Sequence, residues 1–342
     1  RGFDYYFGVD VPNWPPYCFI ENDRTLGIPS EFLPSCLVGD NLASFSGPAM
    51  PYWHFEQLLP TWAQKADSYI GERAAADEPF FLYLPFPIPH LALQVPDSAL
   101  TEYDGAWEEA PYIGDQSYLP HQRPKAAYAA MITRMDAHIG ELLALLDELG
   151  LTENTLVMFS SDNGTTYTGG VDASFFESTA GLRGLKGSVY EGGIRVPFIA
   201  RWPGMIEAGS SSEHVSAFWD IVPTLADLTG GVAPDDIDGI SLLPTLLGIG
   251  RQQDHEALYW EYHGLWDGAQ AVRMGDWKGV RLGGHSSADA PIELYNLSSD
   301  LGETSNVSAD HPAIIERIAE VMAGRTESEI PGWNFPVRAA GN

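Results

Sequence analysis

Asp162 and Asn163 are the side chains in this sequence whose types suggest chemistry most directly. They follow residues 156–159, a short apolar run typical of a buried strand. A carboxylate beside an amide oxygen offers hard oxygen ligands, which suit Ca²⁺ or Mg²⁺ better than a thiophilic metal. Asp-Asn-Gly is also a common plain turn. The pair therefore predicts a metal site only together with its neighbours.

A cluster of basic side chains follows within about twenty residues. Between residues 180 and 202 the single acid Glu191 stands against Arg183, Lys186, Arg195 and Arg201, in a chain of formal net charge −29. This local reversal of charge is what an anion site would need. Lys186 has the strongest functional case, because the glycines around it let the backbone approach a ligand. Some of the arginines are expected to tie loops to the sheet instead.

His90 is the third candidate. It ends the segment PFPIPH after the apolar run FFLYL of residues 80–84, which predicts a buried strand. A lone histidine in a loop is often only a hydrogen-bonding residue. A position beyond a strand end makes a catalytic role an equal alternative.

The elements that must position these residues follow from apolar spacing. An amphipathic helix is predicted from about residue 124 to residue 149, with the strand 156–159 directly after it. This order indicates a βαβ-type crossover and a largely parallel sheet. In such sheets ligands bind beyond the carboxyl ends of the strands, where Asp162 lies. A helix over 55–76, a strand over 197–202 and a helix over 215–230 complete this part.

The fold class predicted is α/β, with a mostly parallel central sheet flanked by helices and a smaller C-terminal α+β subdomain. The boundary is expected near residue 253, giving domains 1–253 and 254–342. In the second domain alternating apolar residues predict an antiparallel sheet. Its strands are expected at 257–263, within 269–282 and at 292–297, followed by a helix over 311–324.

Composition excludes several classes of protein. A hydrophobic content of 44% excludes a disordered chain, and the charge of −29 argues against nucleic acid as a partner. No run of eighteen or more apolar residues exists to span a membrane. The excess of acid suits a salty medium, so a marine or salt-adapted source is a hypothesis.

Two features near the start leave alternatives open. The aromatic residues of 1–60 either pack over the core, which is the favoured interpretation, or form a rim that stacks on sugar rings. Cys18 and Cys36 are the only cysteines, and a disulfide and two separate thiols are equal alternatives. The opening residues resemble the interior of a protein, so any export signal is expected upstream.

Four segments together resemble the type I sulfatases of the alkaline phosphatase superfamily. They are the tip SDNG, the stretch GLRGLKGSVYEGGIRVPFIARWPG, the segment PFPIPH and the ending ELYNLSSDLGETSNV. The resemblance extends over essentially the whole chain. It implies an alkaline phosphatase-like fold, hydrolysis of a sulfate ester, a bound Ca²⁺ and a periplasmic or secreted location.

The resemblance also implies roles for individual residues. Asp162 and Asn163 match one pair of metal ligands. Lys186 matches the lysine that contacts the sulfate, and His90 matches the histidine that protonates the leaving alcohol. Family members use a formylglycine, made from Cys or Ser in a Cys/Ser-x-Pro-x-Arg motif, as the nucleophile.

The sequence departs from the family in one respect. Residues 1–342 contain no Cys/Ser-x-Pro-x-Arg motif, and the family's first Asp pair and Gly-Lys-x-His segment are absent too. All of these precede the Gly-Phe-Asp segment in the family. We therefore expect an N-terminal portion of roughly 100 residues upstream, a usual size for a domain, which the chain needs to complete its site. Residues 1–342 alone are expected to be unstable and inactive.

The substrate expected is a sulfated small molecule or saccharide, with a lean towards glycosaminoglycan or algal polysaccharide. His263, with Trp266 near it, and Arg183 are the candidate substrate-binding residues, although a strand residue packed at a domain junction is an equal interpretation of His263. Two other functions stay open. One is a phosphatase or phosphodiesterase with two transition metals, which the Asp-Asn pair disfavours because zinc prefers imidazole. The other is a non-catalytic homologue that binds sulfated glycans.

Overall fold

The chain forms two compact units in a computed structural model that describes residues 2–38, 41–265 and 267–336. The first unit contains residues 1–154 and 166–172, and the second contains residues 155–165 and 173–342. Neither unit ends at residue 253. The predicted division into 1–253 and 254–342 is therefore not the division between these units, and it stays a prediction about domains.

Short strands open the first unit, where the sequence predicts ordered loops. They form one three-stranded and two two-stranded antiparallel sheets. The strands are β1 (Phe7–Gly8), β2 (Ile20–Glu21), β3 (Arg24–Thr25), β4 (Glu31–Leu33), β5 (Cys36–Val38), β6 (Asn41–Ser44) and β7 (Gly47–Ala49). Aromatic side chains pack around β1, with Phe7, Phe19, Trp53, Phe55 and Phe86 against Val9, Leu58 and Trp62. These contacts support the interpretation that these aromatic residues pack over the core.

Three helices complete the first unit: α1 (Leu58–Ala76), α2 (Asp97–Leu100) and α3 (Pro124–Glu148). The predicted long helix is confirmed in α3. Its first residue is proline, which suits a position where the amide has no helical partner. Gly150 follows in the left-handed region at φ 69° and ends the helix, as expected for a glycine at that position. In α1 the buried Trp62, Ala66 and Ile70 recur at helical spacing.

The strand predicted at residues 80–84 is wrong. The segment has no strand assignment, and within the part of the chain that the structure describes it has no ladder partner. Phe81 is 53% exposed and Tyr83 is 57% exposed, so alternate side chains face outward. The prolines at 79, 85, 87 and 89 lack the amide that a ladder needs and so limit any strand to residues 80–84, and these stay unpaired because none of the described strands lies beside them.

The second unit contains two further strands and three short helices before its C-terminal part. They are β8 (Val157–Ser160), α4 (Glu191–Ile194), β9 (Phe198–Arg201), α5 (Ile221–Thr229) and α6 (Leu243–Leu247). The predicted strands at 156–159 and 197–202 are confirmed within one residue or two. The predicted helix over 215–230 begins later, with a 3₁₀ turn at Phe218–Asp220 followed by α5.

The mostly parallel central sheet is not confirmed. Strand β8 pairs with β9 in antiparallel register, with Val157 opposite Arg201 and Ser160 opposite Phe198. Across the described residues, every ladder between named strands is antiparallel. The physical reason lies before α3, because a βαβ unit needs a strand on each side of its helix. Residues 80–84 do not supply the first one.

The predicted antiparallel sheet of the C-terminal part is confirmed. Strands β10 (Leu258–Tyr262), β11 (Ala269–Met274), β12 (Trp277–Leu282) and β13 (Ile292–Asn296) pair in sequence order, and α7 (Pro312–Ala323) follows. One face packs Ala269, Ala271 and Val280 against Val189 and Tyr190. The other packs Val272, Ile292 and Leu294 against Ile318 and Met322 of α7. Side chains that alternate between faces therefore build two cores on one sheet.

Two expectations of the sequence concern the whole chain. Within the described residues no helix has the length and apolar character needed to cross a bilayer. Cys18, which is buried, and Cys36 are free thiols, so the disulfide alternative is not what the structure has.

Candidate active site

Asp162 and Asn163 lie directly after β8, at a turn held by local hydrogen bonds. The hydroxyl of Ser161 donates to the carbonyl of Asn163 over 3.1 Å, and Ser160 Oγ donates to the carbonyl of Pro197 over 3.0 Å. Asn163 Nδ2 donates to the carbonyl of Gly164 over 2.9 Å. Since its amide nitrogen faces a carbonyl, the side-chain oxygen of Asn163 is the atom available to a cation. Asp162 is exposed, so the turn presents two oxygen-bearing groups.

The loop that carries Lys186 is fixed to this turn through the backbone. The amide of Lys186 donates to the carbonyl of Thr165 over 2.8 Å. The amide of Gly164 donates to the carbonyl of Gly193 over 2.9 Å. Two hydrogen bonds therefore join residues 164–165 to the two ends of the segment 186–193. The structure thus brings the backbone of Lys186 together with the residues that follow the Asp162–Asn163 turn, and a shared site for these side chains stays a prediction.

Glycines make this close approach possible. A Cβ at Gly164 would lie 1.9 Å from the carbonyl oxygen of Gly192, and a Cβ at Gly192 would lie 2.2 Å from the carbonyl oxygen of Gly184. A Cβ at Gly193 would lie 2.1 Å from the carbonyl oxygen of Ser188. A backbone atom cannot move aside as the end of a flexible side chain can. Close packing of the two segments therefore requires glycine at positions 164, 192 and 193.

A buried ion cluster anchors the far end of the loop. Lys278 Nζ on β12 lies 2.8 Å from Glu191 Oε1 and 3.0 Å from Glu303 Oε1, and all three residues are at most 2% exposed. Glu303 Oε2 accepts a 2.7 Å hydrogen bond from the backbone amide of Glu191. Arg195 and Arg273 lie 3.6 Å and 3.8 Å from Glu191 Oε2. The loop is thereby bound to the C-terminal sheet at Glu191.

The sequence alone does not predict this cluster. In its own stretch Glu191 is only the one acid among four bases, and the three charged residues span more than a hundred positions. The scarcity of lysine was the available signal, since Lys278 is one of only four lysines in the chain. A lysine retained inside an alternating apolar strand of so acidic a protein indicates a buried pair.

Burial shifts the titration of several groups in this region. It raises the pKa of Glu303 above its ordinary value, although Lys278 acts in the opposite direction. It lowers the pKa of Arg273, with Glu191 opposing the shift. Burial and a 2.7 Å hydrogen bond to Glu293 raise the pKa of Tyr295 to about 12. Burial and these contacts together set the pKa of groups that bind the loop to the C-terminal sheet.

Arg183 has several contacts of its own in the second unit. Its Nη1 donates to Tyr295 OH over 2.8 Å and to the carbonyl of Glu303 over 2.9 Å. The guanidinium lies 3.9 Å from the centre of the Tyr190 ring, a cation–π contact. These contacts tie the loop to the sheet. The side chain is still 42% exposed, and its predicted role in substrate binding stays a prediction.

His263 lies just after β10 in a cluster of rings. Its Nδ1 is 3.0 Å from Nε2 of His285, and its Nε2 is 3.1 Å from Glu261 Oε1. The His263 ring is nearly parallel to the Trp333 ring, at 12° with centroids 5.8 Å apart. Its orientation is thus fixed from three sides, and a substrate contact by His263 stays a prediction. Trp266, named with it, lies outside the described residues.

The end of β10 also reaches the Lys186 loop. A Cβ at Gly187 would lie 3.1 Å from Leu265 Cδ1 and 3.6 Å from Tyr262 Cε1. Both side chains therefore rest on the residue that follows Lys186. Tyr262 and Leu265 are 41% and 38% exposed, which gives the loop an apolar flank that sequence analysis did not identify.

His90 belongs to the first unit, and Asp162, Asn163 and Lys186 belong to the second. His90 is exposed, with Nδ1 2.6 Å from the carbonyl oxygen of Leu91. Tyr118 packs on the imidazole edge to face, with centroids 5.9 Å apart. Burial raises the pKa of Tyr118, so its hydroxyl stays protonated beside the histidine at neutral pH.

The arrangement in the second unit combines oxygen ligands with a cation on a rigid loop. Among the residues that the structure describes, no group of three or more His, Cys, Asp or Glu side chains is arranged to bind a metal. Hard cations take six or more oxygen ligands, so Asp162 and Asn163 can supply only part of a coordination sphere.

Comparison with known proteins gives a family. The family model described as Sulfatase matches residues 1–232, and the model described as N-sulphoglucosamine sulphohydrolase, C-terminal, matches residues 185–327. The chain is 35% identical over 266 residues to a sulfatase from Formosa agariphila, covering 72% of this chain and 45% of that protein. It is 31% identical over 369 residues to the N-acetylgalactosamine-6-sulfatase of Canis lupus familiaris, covering 97% of this chain and 63% of that protein.

A solved structure is similar as well. The crystal structure of Ps i-CgsB in complex with k-i-k-neocarrahexaose superimposes with a TM-score of 0.65 and 25% identity, covering 78% of this chain and 54% of that one. The chain spans about half the length of the curated relatives it matches. The match to residues 1–232 nevertheless covers most of the sequence and includes Asp162, Asn163, Lys186 and His90. The chain belongs to the Sulfatase family.

Proposed function

We propose that the protein containing this chain hydrolyses a sulfate ester, and that the ester is on a carbohydrate such as a glycosaminoglycan or an algal polysaccharide. Membership of the Sulfatase family supports the reaction. The names of the canine relative and of the saccharide complex support a carbohydrate. The observation that carries the proposal is the backbone link from Lys186 to Thr165, because it holds the backbone of the lysine beside the residues that follow the Asp162–Asn163 turn.

Asp162 and Asn163 are proposed to hold a Ca²⁺. The donor chemistry fits, since one carboxylate and one amide oxygen are hard ligands on a turn with a fixed backbone. Two residues cannot complete the sphere. The other ligands are proposed to come from an N-terminal portion of the same protein, together with a formylglycine.

Bound calcium would polarise the sulfate oxygens, and the formylglycine would supply the nucleophile. Lys186 would place a point charge against the sulfate, and a preorganised cation stabilises the negative charge that spreads over the group as the ester bond breaks. His90 would give a proton to the leaving oxygen, because an alkoxide without that proton is a poor leaving group. Arg183 and His263 are proposed to contact the saccharide.

The protein is proposed to act in the periplasm or outside the cell, in a marine or salt-adapted organism. The family resemblance supports the first part and the net charge of −29 supports the second. A polymer substrate is too large to enter a cell unaided, which agrees with such a location.

The test is the activity of the full-length protein on a panel of sulfated saccharides and one aryl sulfate, with released sulfate measured directly. Mass spectrometry of the protein checks for formylglycine, and metal analysis measures calcium and zinc. Sulfate release with calcium bound is the expected result. Two zinc ions with phosphate ester cleavage would replace the proposal with the phosphatase alternative. Saccharide binding without any hydrolysis would replace it with the binding-protein alternative.

A further inference from the structure

The carbonyl oxygen of Leu91 accepts two hydrogen bonds from side chains far apart in the sequence. Asn13 Nδ2 lies 2.6 Å from this oxygen, and His90 Nδ1 lies 2.6 Å from it as well. A carbonyl oxygen has two lone pairs, so it can accept from both. Because the acceptor is a carbonyl, the amide of Asn13 must present its nitrogen and the imidazole must carry its proton on Nδ1.

Leu91 is held too firmly to move away from this arrangement. Its side chain is 1% exposed, and a Cβ at Gly169 would lie 2.4 Å from Leu91 Cδ1. The leucine therefore packs directly on the backbone of residue 169. Its carbonyl oxygen is therefore a fixed acceptor, and it determines where the two donor side chains lie.

The bond to Nδ1 decides which nitrogen of His90 can take part in acid catalysis. With Nδ1–H donating to Leu91, the proton that can pass to a leaving alcohol is the one on Nε2. In enzymes that use a histidine as general acid or base, a partner on the other ring nitrogen fixes the tautomer and the ring orientation. For His90 this partner is the carbonyl oxygen of Leu91.

Asn13 is suited to support this carbonyl. Its backbone lies in the left-handed region at φ 65°, which asparagine and glycine tolerate better than other residues. The residue is half-buried, and its side chain shares a small cavity with His90, Gln94 and Arg134. A polar side chain in a left-handed backbone position that hydrogen-bonds to one carbonyl 78 residues away indicates a specific task.

We propose that Asn13 is a positioning residue for His90. Its amide holds the Leu91 carbonyl, and that carbonyl holds the imidazole with Nε2 as the proton donor to the leaving alcohol. This inference rests on the proposed function, because it concerns the leaving-group step of sulfate ester hydrolysis. It predicts that loss of the Asn13 amide damages only reactions that need the proton.

The test compares two substrates of the full-length protein. A saccharide sulfate has a weakly acidic leaving alcohol and needs a general acid, whereas an aryl sulfate with an acidic phenol leaves without one. The variants are Asn13→Gly, which keeps the left-handed backbone and removes the amide, and Asn13→Asp, which keeps the shape and removes the donor. His90→Ala is the reference for complete loss of the proton donor.

Both Asn13 variants should lower kcat/KM for the saccharide sulfate by at least about 10-fold, a part of the roughly 10²–10⁴-fold that a general acid contributes. For the aryl sulfate they should change it less than about 3-fold, and His90→Ala should show the same pattern more strongly. Asn22→Gly is the matched control, since Asn22 also has a positive φ, 55°, and its side-chain oxygen accepts from the amide of Tyr6. Asn22→Gly should leave kcat/KM unchanged for both substrates.

An equal loss on both substrates would show that Asn13 only stabilises the fold, and it would overturn the inference. An unchanged saccharide activity would overturn it too. If His90→Ala shows the leaving-group pattern while the Asn13 variants do not, the proposed function stands and the positioning role falls. If the wild-type protein releases sulfate from neither substrate, the proposed function fails and the inference fails with it.

Discussion

Lys278 Nζ and Glu191 Oε1 lie 2.8 Å apart in the interior of the second unit, with Lys278 fully buried and Glu191 2% exposed. The pair joins strand β12 to the end of the loop that carries Lys186. Glu303 contacts the same lysine and the amide of Glu191. The loop that carries Lys186 is thus anchored by charged groups that are buried in the protein.

Lys278→Met should destabilise the protein severely. The variant keeps the apolar stem but removes the lysine that Glu191 and Glu303 share, which leaves the Glu303 carboxylate buried without its cation. Removal of one partner from a buried ion pair costs about 3–5 kcal/mol. Urea unfolding of the full-length protein measures the loss. Lys65→Met is the control, because the pair of Lys65 with Glu21 is partly exposed and should contribute far less. Equal effects of the two substitutions would show that the buried cluster is not an anchor.

Glu303 should make stability depend on pH in a particular direction. The folded protein holds the Glu303 proton to a higher pH than the unfolded chain, whose carboxyl has the ordinary pKa of 4.5. Above that value the folded state binds more protons, so the free energy of unfolding falls as pH rises until Glu303 ionises in the folded state. The difference between wild type and Glu303→Gln should therefore fall over this interval and then stay constant.

Asp300 offers the opposite sign as a control. Hydrogen bonds from the amides of Thr304 and Ser305 lower its pKa below the ordinary 3.8. Its stabilisation is therefore present above that value and is lost as pH falls through the folded pKa. The difference in the free energy of unfolding between wild type and Asp300→Asn should therefore stay constant above pH 4.5, the interval in which Glu303 acts. If the free energy of unfolding of wild type relative to Glu303→Gln rises with pH, burial does not raise the pKa of Glu303.

Gly164→Ala should disturb the candidate site from within. The new Cβ would lie 1.9 Å from the carbonyl oxygen of Gly192, a backbone atom that can yield only if the loop moves. A cost of about 1–3 kcal/mol is expected from such overpacking, together with loss of sulfatase activity as Lys186 moves. Thermal unfolding and sulfate release measure the two effects.

Gly140→Ala is the matched control for this substitution. Gly140 lies in α3, and an added Cβ there meets nothing within 4 Å. Alanine in a helix interior should stabilise the protein by about 0.5–1 kcal/mol. If both glycine variants behave alike, close approach at Gly164 is not what holds the loop.

Asn163→His should remove calcium from the full-length protein and abolish sulfatase activity. Imidazole is a poor ligand for a hard cation, and the hydrogen bond from Asn163 Nδ2 to the carbonyl of Gly164 is lost as well. Metal analysis after dialysis against trace calcium measures the binding. Asn154→His, at an exposed position in the first unit, should bind calcium as the wild type does. Full activity of Asn163→His would take the metal-ligand role away from Asn163.

Added salt should stabilise the protein. A formal net charge of −29 repels itself in the compact state, and the Debye length shrinks from about 10 Å at 0.1 M to about 3 Å at 1 M salt. The melting temperature should rise with sodium chloride and equally with potassium chloride, because screening does not depend on the cation. A melting temperature that is flat in salt would remove the argument for a salt-adapted source.

Local pattern was enough to predict several parts of the molecule. The strands β10 to β13 with α7, and the helix α3 with Gly150 at its end, follow from alternation, helical spacing and a glycine that can take a positive φ. The turn at Asp162 and the loop of Lys186 were identified from residue types and from a family resemblance. Such signals lie within a few residues of each other, which is why a sequence displays them.

Only the tertiary structure decided the rest. Residues 80–84 look like a buried strand in composition, but none of the described strands pairs with them, so the predicted parallel sheet has no first strand there. The antiparallel pairing of β8 with β9 joins residues some forty positions apart. The Lys278–Glu191–Glu303 cluster and the Asn13–Leu91–His90 contacts join segments much farther apart, and local spacing does not identify which residues are the partners. Type and local spacing thus determined which residues are candidates, and packing over long sequence separations decided what holds them in place.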